Sequence, residues 1–260
     1  MDSPPEAAGN DDRRSLPELL RSIAAIPGIR WIRLMYMHPV SFTEALLDVF
    51  AEQPDKFPYL DMPLQHIDTA MLAAMQRKTN EPGLRALLQR IRARVPTLSL
   101  RTTFIVGFPG ETEGDYQKTR ALVEQVQFDN AFVFRYSPRT ETPAAEMAQQ
   151  FDEEVKEARN RDLLKVVDTA AKRAGERLVG REVEILCEGP SKTNHLRLTG
   201  RTRSNKIVVF EGAENDIGQL IDLKITHSTG FSLSAVKTEA ASSCHLLPME
   251  ELLPPVMTAS

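Results

Sequence analysis

The 260 residues are 42% apolar and 26% charged, enough for one large core or for a medium domain followed by a small one, and they describe a globular protein. Apolar runs are short and broken by charges, and the opening MDSPPEAAGNDDRRS has no apolar signal-peptide core, so membrane-spanning and secretory readings fall away and the cytoplasm is expected. A net charge of −4 excludes a uniformly basic nucleic-acid binder and leaves room only for a local patch.

Residues 1–14, rich in Pro, Gly and acids, read as a disordered leader. The first helix starts at Ser15, with Glu18 in capping-box spacing and Pro17 in the first turn. Leu19, Leu20, Ile23 and Ile26 form its stripe, and Pro27-Gly28 ends it. A strand is expected over 29–36. The next helix begins at Ser41, with Glu44 in the same spacing and Leu46, Leu47 and Phe50 inward. A short strand over 59–62 precedes two helices, one around Met71, Leu72 and Met75, the other opened by Pro82, carrying Leu84, Leu87, Leu88 and Ile91, and ended by Pro96. Residues 100–106 form an apolar, β-branched strand. Thr112 caps a helix bearing Leu122, Val123 and Val126, and 131–136 form a further strand. This α-β-α-β-α-α-β-α-β order predicts an α/β domain over 15–150, a parallel sheet covered by helices.

A charged helix over 151–178, with Val155, Leu163, Val166, Ala170 and Ala174 on its buried side, makes 151–180 a linking helix. From 181 to 237 the apolar period drops to about two, as in Val183, Ile185, Ile207, Val209, Leu220, Leu223 and Ile225. Gly180, Gly200, Gly212 and Gly218 punctuate the turns of this small all-β domain. Residues 238–260 read as a flexible tail. The only two cysteines, Cys187 and Cys244, stand in no ligand spacing and read as plain thiols in a reducing compartment.

Ligands of parallel α/β sheets bind at the carboxyl ends of the strands, so the post-strand residues are the candidates. They are Met37-His38-Pro39, Pro63-Leu64-Gln65-His66, the turn from Gly107 to Thr112, and Ser137-Pro138-Arg139. In the segment FIVGFPGET at 104–112, Gly107 and Gly110 let backbone pass close to a ligand. The helix-start amides and Glu111 suit a polar, cationic or ribose-bearing group. Gln65 is the right type to bond a ribose or carboxylate. His38 and His66 lack a Ser, Cys or carboxylate partner at motif spacing and receive no catalytic role. A second constellation, residues 191–208, holds Lys192, Arg197, Arg201, Arg203 and Lys206 and not one acid, interleaved with Ser, Thr and Asn as on a surface that grips RNA backbone.

The strings MPLQH at 62–66, TTFIVGFPGET at 102–112, FRYSPRTETPAA at 134–145 and LTGRTRSNKIVVFEG at 198–212 closely resemble tRNA methylthiotransferases of the MiaB type, over roughly residues 15–236. The resemblance implies an incomplete radical S-adenosylmethionine (β/α) partial barrel followed by a TRAM domain, a small OB-like RNA-binding barrel. By it, Gln65, Gly107, Gly110 and Glu111 wall the S-adenosylmethionine pocket, and Tyr136 and Ser137 end the strand beside the adenine. Lys192, Arg197, Arg201, Arg203 and Lys206 hold the tRNA anticodon arm. The implied reaction adds a methylthio group to C2 of N6-isopentenyl adenosine, using one [4Fe–4S] cluster to cleave S-adenosylmethionine and another in sulfur insertion. The family's CxxxCxxC and its second set of three cysteines have no counterpart in this sequence, so no metal ligand and no catalytic residue is assigned. The chain is expected to be a truncated product, a gene fragment or a split half, inactive alone, with a separately encoded N-terminal half as one candidate partner.

Two alternatives stand beside this. One is a stand-alone RNA-binding TRAM protein on a degenerate α/β scaffold. The other is a ribosomal-protein (aspartate) methylthiotransferase, which RLMYMHP at 33–39, YLDMPLQH at 59–66 and LRTTFIVGFPGETEGDY at 100–116 also resemble. The string at 198–212 favours the tRNA branch, within which relatives acting on threonylcarbamoyl adenosine stay open.

Overall fold

A computed structural model describes residues 15–238 of the chain; the leader, the tail and Cys244 lie outside the described residues. Helix α1 (Leu16–Ala24) begins as its spacing dictates, with the Ser15 amide donating to Glu18 Oε2 at 2.8 Å. Strand β1 is only Arg33–Leu34, shorter than expected, because Tyr36 turns to φ 57° and the chain leaves the extended region. Helix α2 (Glu44–Glu52) is capped by Thr43, whose hydroxyl accepts from the Leu46 amide at 3.3 Å. Ser41 instead ends a 3-10 turn, Pro39–Ser41, that Pro39 initiates by fixing φ. After β2 (Tyr59–Asp61) come α3 (Thr69–Ala74), capped by Asp68, and α4 (Glu81–Arg94), capped by Asn80. Strand β3 (Ser99–Val106), helix α5 (Glu113–Val126) and strand β4 (Asn130–Arg135) complete the expected order.

The four strands are parallel and lie in chain order, so every post-strand turn falls at one end of the sheet. One face, carrying Leu100, Thr102, Phe104, Val106, Ala131 and Val133, is buried. Phe50, Phe57, Phe104 and Phe128 are the largest sealed side chains of this core, and truncating any one to alanine would cost about 3–5 kcal/mol. The opposite face keeps Arg101, Thr103 and Ile105 half-covered and leaves Phe132 and Phe134 exposed.

A short helix, α6 (Pro143–Glu146), precedes the 24-residue α7 (Glu153–Glu176), which runs along β4 and α5. Its buried side differs at two positions from the periodic expectation, and at one of them Val167 is sealed while Val166 is only partly buried. At the other, Val155 is 38% exposed, and the neighbouring Lys156 is buried with its amine on Tyr136 O and on Glu153. A long aliphatic stem whose terminal ammonium donates to two acceptors fills that slot better than a short branched one.

Strands β5 (Glu182–Pro190), β6 (Leu198–Thr202), β7 (Ile207–Phe210), β8 (Leu220–Ser228) and β9 (Ser232–Lys237) close into a barrel in the order β5-β6-β7-β9-β8. Ile185, Cys187, Val208, Phe210, Ile221, Leu223 and Ile225 fill it. Ile207, Val209 and Leu220, also part of the alternating pattern, lie toward the outside, since valine and isoleucine occupy both faces of these strands and a one-residue phase is not fixed by composition. Gly200 is not a turn residue. It sits within β6, where a Cβ would overlap Leu186 O of the neighbouring strand, so its lack of a side chain is what lets the strands approach. Among the described residues no helix is long and apolar enough to cross a membrane.

Candidate ligand rim and candidate nucleic-acid interface

The rim holds a cavity of about 700 Å³, and three of the expected residues meet there: Gln65, Tyr136 and Ser137. Gln65 is pinned by backbone. Past the end of β2 the chain rejoins β3, the Gln65 amide donating to Thr103 O at 2.8 Å and its carbonyl accepting from the Ile105 amide at 2.9 Å. The join holds Gln65 at φ 72°, a left-handed conformation that a non-glycine residue adopts at a cost. Tyr136 extends β4 by donating its amide to Val106 O at 2.9 Å, and its ring meets the edge of Phe108 at 5.1 Å. The Tyr136 hydroxyl is buried and has no hydrogen-bond partner among the described residues. A sealed polar atom beside an aromatic wall and an open cavity is the mark of a place shaped for something else.

Gly107, Gly110 and Glu111 do not line that cavity. Gly107 (φ 69°) and Gly110 (φ 82°) do admit a close neighbour, but the neighbour is the protein itself. A Cβ on Gly107 would overlap Lys156 Cγ, one on Gly110 would stand 2.8 Å from Gln149 Oε1, and the Gly110 amide donates to Gln149 O at 3.0 Å. Glu111 turns inward. Fully buried, it accepts from the Gly107 amide at 2.7 Å, from Arg159 Nη1 at 2.6 Å and from His66 Nε2 at 3.0 Å. His66 Nδ1 accepts from the Asp68 amide at 2.9 Å, which places the ring proton on Nε2, facing Glu111. The amides at the start of α5 are engaged too, in a reciprocal Thr112–Asp115 capping box. The FPGET turn is thus bolted to α7 and carries the cavity wall through Phe108. His38 caps the 3-10 turn after β1, its Nδ1 accepting from the Val40 amide at 3.3 Å.

The acid-free segment 191–208 is neutralised in three dimensions. Arg197 reaches Glu211 at 3.4 Å, Arg201 reaches Glu188 at 3.3 Å and Arg203 reaches Glu184 at 2.9 Å. Lys206 is half-buried against the start of the sheet, 3.7 Å from Asp129; its partial burial pulls its pKa down and Asp129 opposes the shift. Lys192 has no ion pair among the described residues. Several of these contacts join the barrel to the sheet. Arg203 lies over the Trp31 ring, Arg33 donates to Thr202 O at 2.6 Å, and Arg30 pairs with Glu184 at 2.6 Å. Sequence reasoning missed Trp31, Arg33, Lys156 and Arg159. The last two look like solvated positions of a charged helix, and only packing shows otherwise.

Residues 176–238 match the TRAM domain family. Among curated proteins, the tRNA-2-methylthio-N(6)-dimethylallyladenosine synthase of Akkermansia muciniphila is 47% identical over 219 residues, covering 84% of this chain and 48% of that protein. The ribosomal protein uS12 methylthiotransferase RimO of Syntrophotalea carbinolica is 39% identical over 231 residues, 87% of this chain and 51% of its own length. Among solved structures, coproporphyrinogen III oxidase (HemN) of Escherichia coli, a radical SAM enzyme, matches 78% of this chain and 50% of its own at 14% identity, with a TM-score of 0.46. The chain spans about half the length of the curated relatives it matches. It is, over most of its length, a homologue of one half of the methylthiotransferases that carry these two names, with a TRAM domain at its barrel.

Proposed function

We propose that the chain is the C-terminal portion of a radical S-adenosylmethionine methylthiotransferase that adds a methylthio group to C2 of N6-isopentenyl adenosine in the tRNA anticodon loop, in the cytoplasm. The observation that carries the reading is the 47% identity over 219 residues, a length that takes in both the rim and most of the barrel. The rim supports a nucleoside-bearing cofactor in one respect, since the orphaned Tyr136 hydroxyl stands at a cavity with an aromatic wall. When bound, S-adenosylmethionine supplies the radical and methyl-donating chemistry of such enzymes. Gln65, Tyr136 and Ser137 bind and orient its nucleoside, and Phe108 keeps water from that wall.

An iron–sulfur cluster does not fit the residues at hand. The sequence has two cysteines, Cys187 is sealed in the barrel, and among the described residues no group of His, Cys, Asp and Glu is placed to hold a metal. On this reading the cluster thiolates come from the half of the enzyme that this chain does not span. A second reading, modification of ribosomal protein uS12, is favoured by the pairing of Arg197, Arg201, Arg203 and Lys206 with acids, which leaves less free charge for RNA on that face. Fluorescence anisotropy separates the two. We expect the chain to bind an anticodon stem-loop carrying N6-isopentenyl adenosine, weakening as salt rises, and to ignore uS12. Binding to uS12 with no RNA affinity overturns the tRNA reading.

A further inference from the structure

The rim cavity has a charge pattern that its proposed cofactor does not explain. Among the described residues three arginines line it, Arg77 after α3, Arg135 at the end of β4 and Arg139 four residues on, and not one Asp or Glu does. Arg135 pairs with Glu153 at 3.6 Å, whereas among the described residues Arg77 and Arg139 have no ion pair at all. Elsewhere arginines near a carboxylate are the habit of this protein, as with Arg85 and Glu81 at 2.8 Å or Arg101 and Asp61 at 2.8 Å. Arg77 is also held in place. Gln76 before it is at φ 56°, and the Arg77 amide donates to Leu72 O at 2.8 Å. Burial pulls its guanidinium pKa down with no acid to oppose the shift. A half-buried cation without a counter-charge destabilises the free protein and favours whatever anion enters. Beside the arginines stands Phe134, 55% exposed at the sheet edge.

S-adenosylmethionine offers one carboxylate and two cationic centres, a poor match for three guanidiniums. A single-stranded RNA loop offers a phosphate at every nucleotide and a base with two flat faces. We propose that Arg77 and Arg139 bind the phosphodiesters flanking one loop nucleotide, whose base stacks on Phe134. The inference rests on the RNA reading above and adds to it the subsite that separates an RNA from a protein substrate. RNA is thereby gripped at the rim, not only at the barrel.

The test is anisotropy titration of an anticodon stem-loop RNA across a salt series, with melting curves confirming that each variant folds. Arg77→Ala and Arg139→Ala are each expected to weaken binding about ten-fold and to lower the slope of log K against log salt by about one unit. Arg77→Lys and Arg139→Lys keep the slope. Phe134→Ala weakens binding with the slope unchanged, and Arg161→Ala, an exposed α7 position paired with Glu157 at 3.0 Å, changes neither. If the wild-type chain binds RNA and both alanine variants match it in affinity and slope, the subsite is wrong while the tRNA reading stands. Loss of S-adenosylmethionine affinity by calorimetry in Arg77→Ala, with RNA binding intact, overturns the subsite in favour of the cofactor's carboxylate. A wild-type chain that does not bind RNA sinks the functional reading first and the subsite with it.

Discussion

The barrel and the rim are both rich in arginine, but they hold it differently. On the barrel, four basic residues drawn from one short segment each meet an acid, and Arg203 and Lys206 are spent on docking to the sheet. At the rim, arginines from scattered parts of the chain converge on a cavity that has no acid among the described residues of its lining. A run of basic residues in a sequence is therefore a poor guide to free positive charge. What decides is the company each cation keeps after folding, because a paired guanidinium has little left to offer a phosphate.

The sharpest break would come behind the cavity wall, at the buried Glu111. Replacing it by Gln leaves the largely covered Arg159 with only the exposed Glu113, 3.5 Å away, and should cost about 3 kcal/mol in urea unfolding; a loss under about 1 kcal/mol would show that Glu111 is not the anchor. Gly107→Ala forces a left-handed alanine into the stem of Lys156, and about 2–3 kcal/mol is expected by the same measurement. The barrel side of the comparison predicts much less. Arg201→Ala with Arg203→Ala should lower RNA affinity less than the rim variants do and cost about 1 kcal/mol or less in stability, the pairs being partly exposed. RNA binding abolished by that double variant and untouched by Arg139→Ala would reverse the comparison.

The smallest effect is in acid. The Tyr116 hydroxyl, with Arg120 assisting against the cost of burial, holds the Asp162 carboxyl below the usual range. A depressed folded-state pKa adds stability that is fully present above the unfolded value near pH 4 and is lost as pH falls through the folded one. Asp162→Asn should thus flatten the melting-temperature profile below about pH 4, by about 2 °C because the group is partly exposed. A parallel profile for both proteins would remove Asp162 from the acid limb.

The element order, the parallel sheet and the small β-domain were legible because caps, prolines and apolar periods are local signals. So was the meeting of Gln65 with Tyr136 and Ser137, since parallel strands deliver their trailing residues to one end. The roles of Gly107, Gly110 and Glu111 were not. Two glycines and a carboxylate after a strand look the same whether the close neighbour is a ligand or a helix from 45 residues on, as the Glu111 to Arg159 separations of 48 and the Gly107 to Lys156 approach make plain. The neutralised segment 191–208 escaped for the same reason, its acids being on a neighbouring strand and across the junction.

Helix α7 touches both regions. Its first turns hold the FPGET loop through Lys156 and Arg159, and its last turns meet the barrel, where Gly175 sits against Ser228. Its 24 residues span about 36 Å. Since each residue advances a helix by about 1.5 Å and about 100°, the spacing and the rotational phase between cavity and barrel are written in the number of residues between those two grips. Inserting one residue mid-helix would point the barrel sideways, whereas inserting about seven would lengthen the axle while nearly restoring its heading.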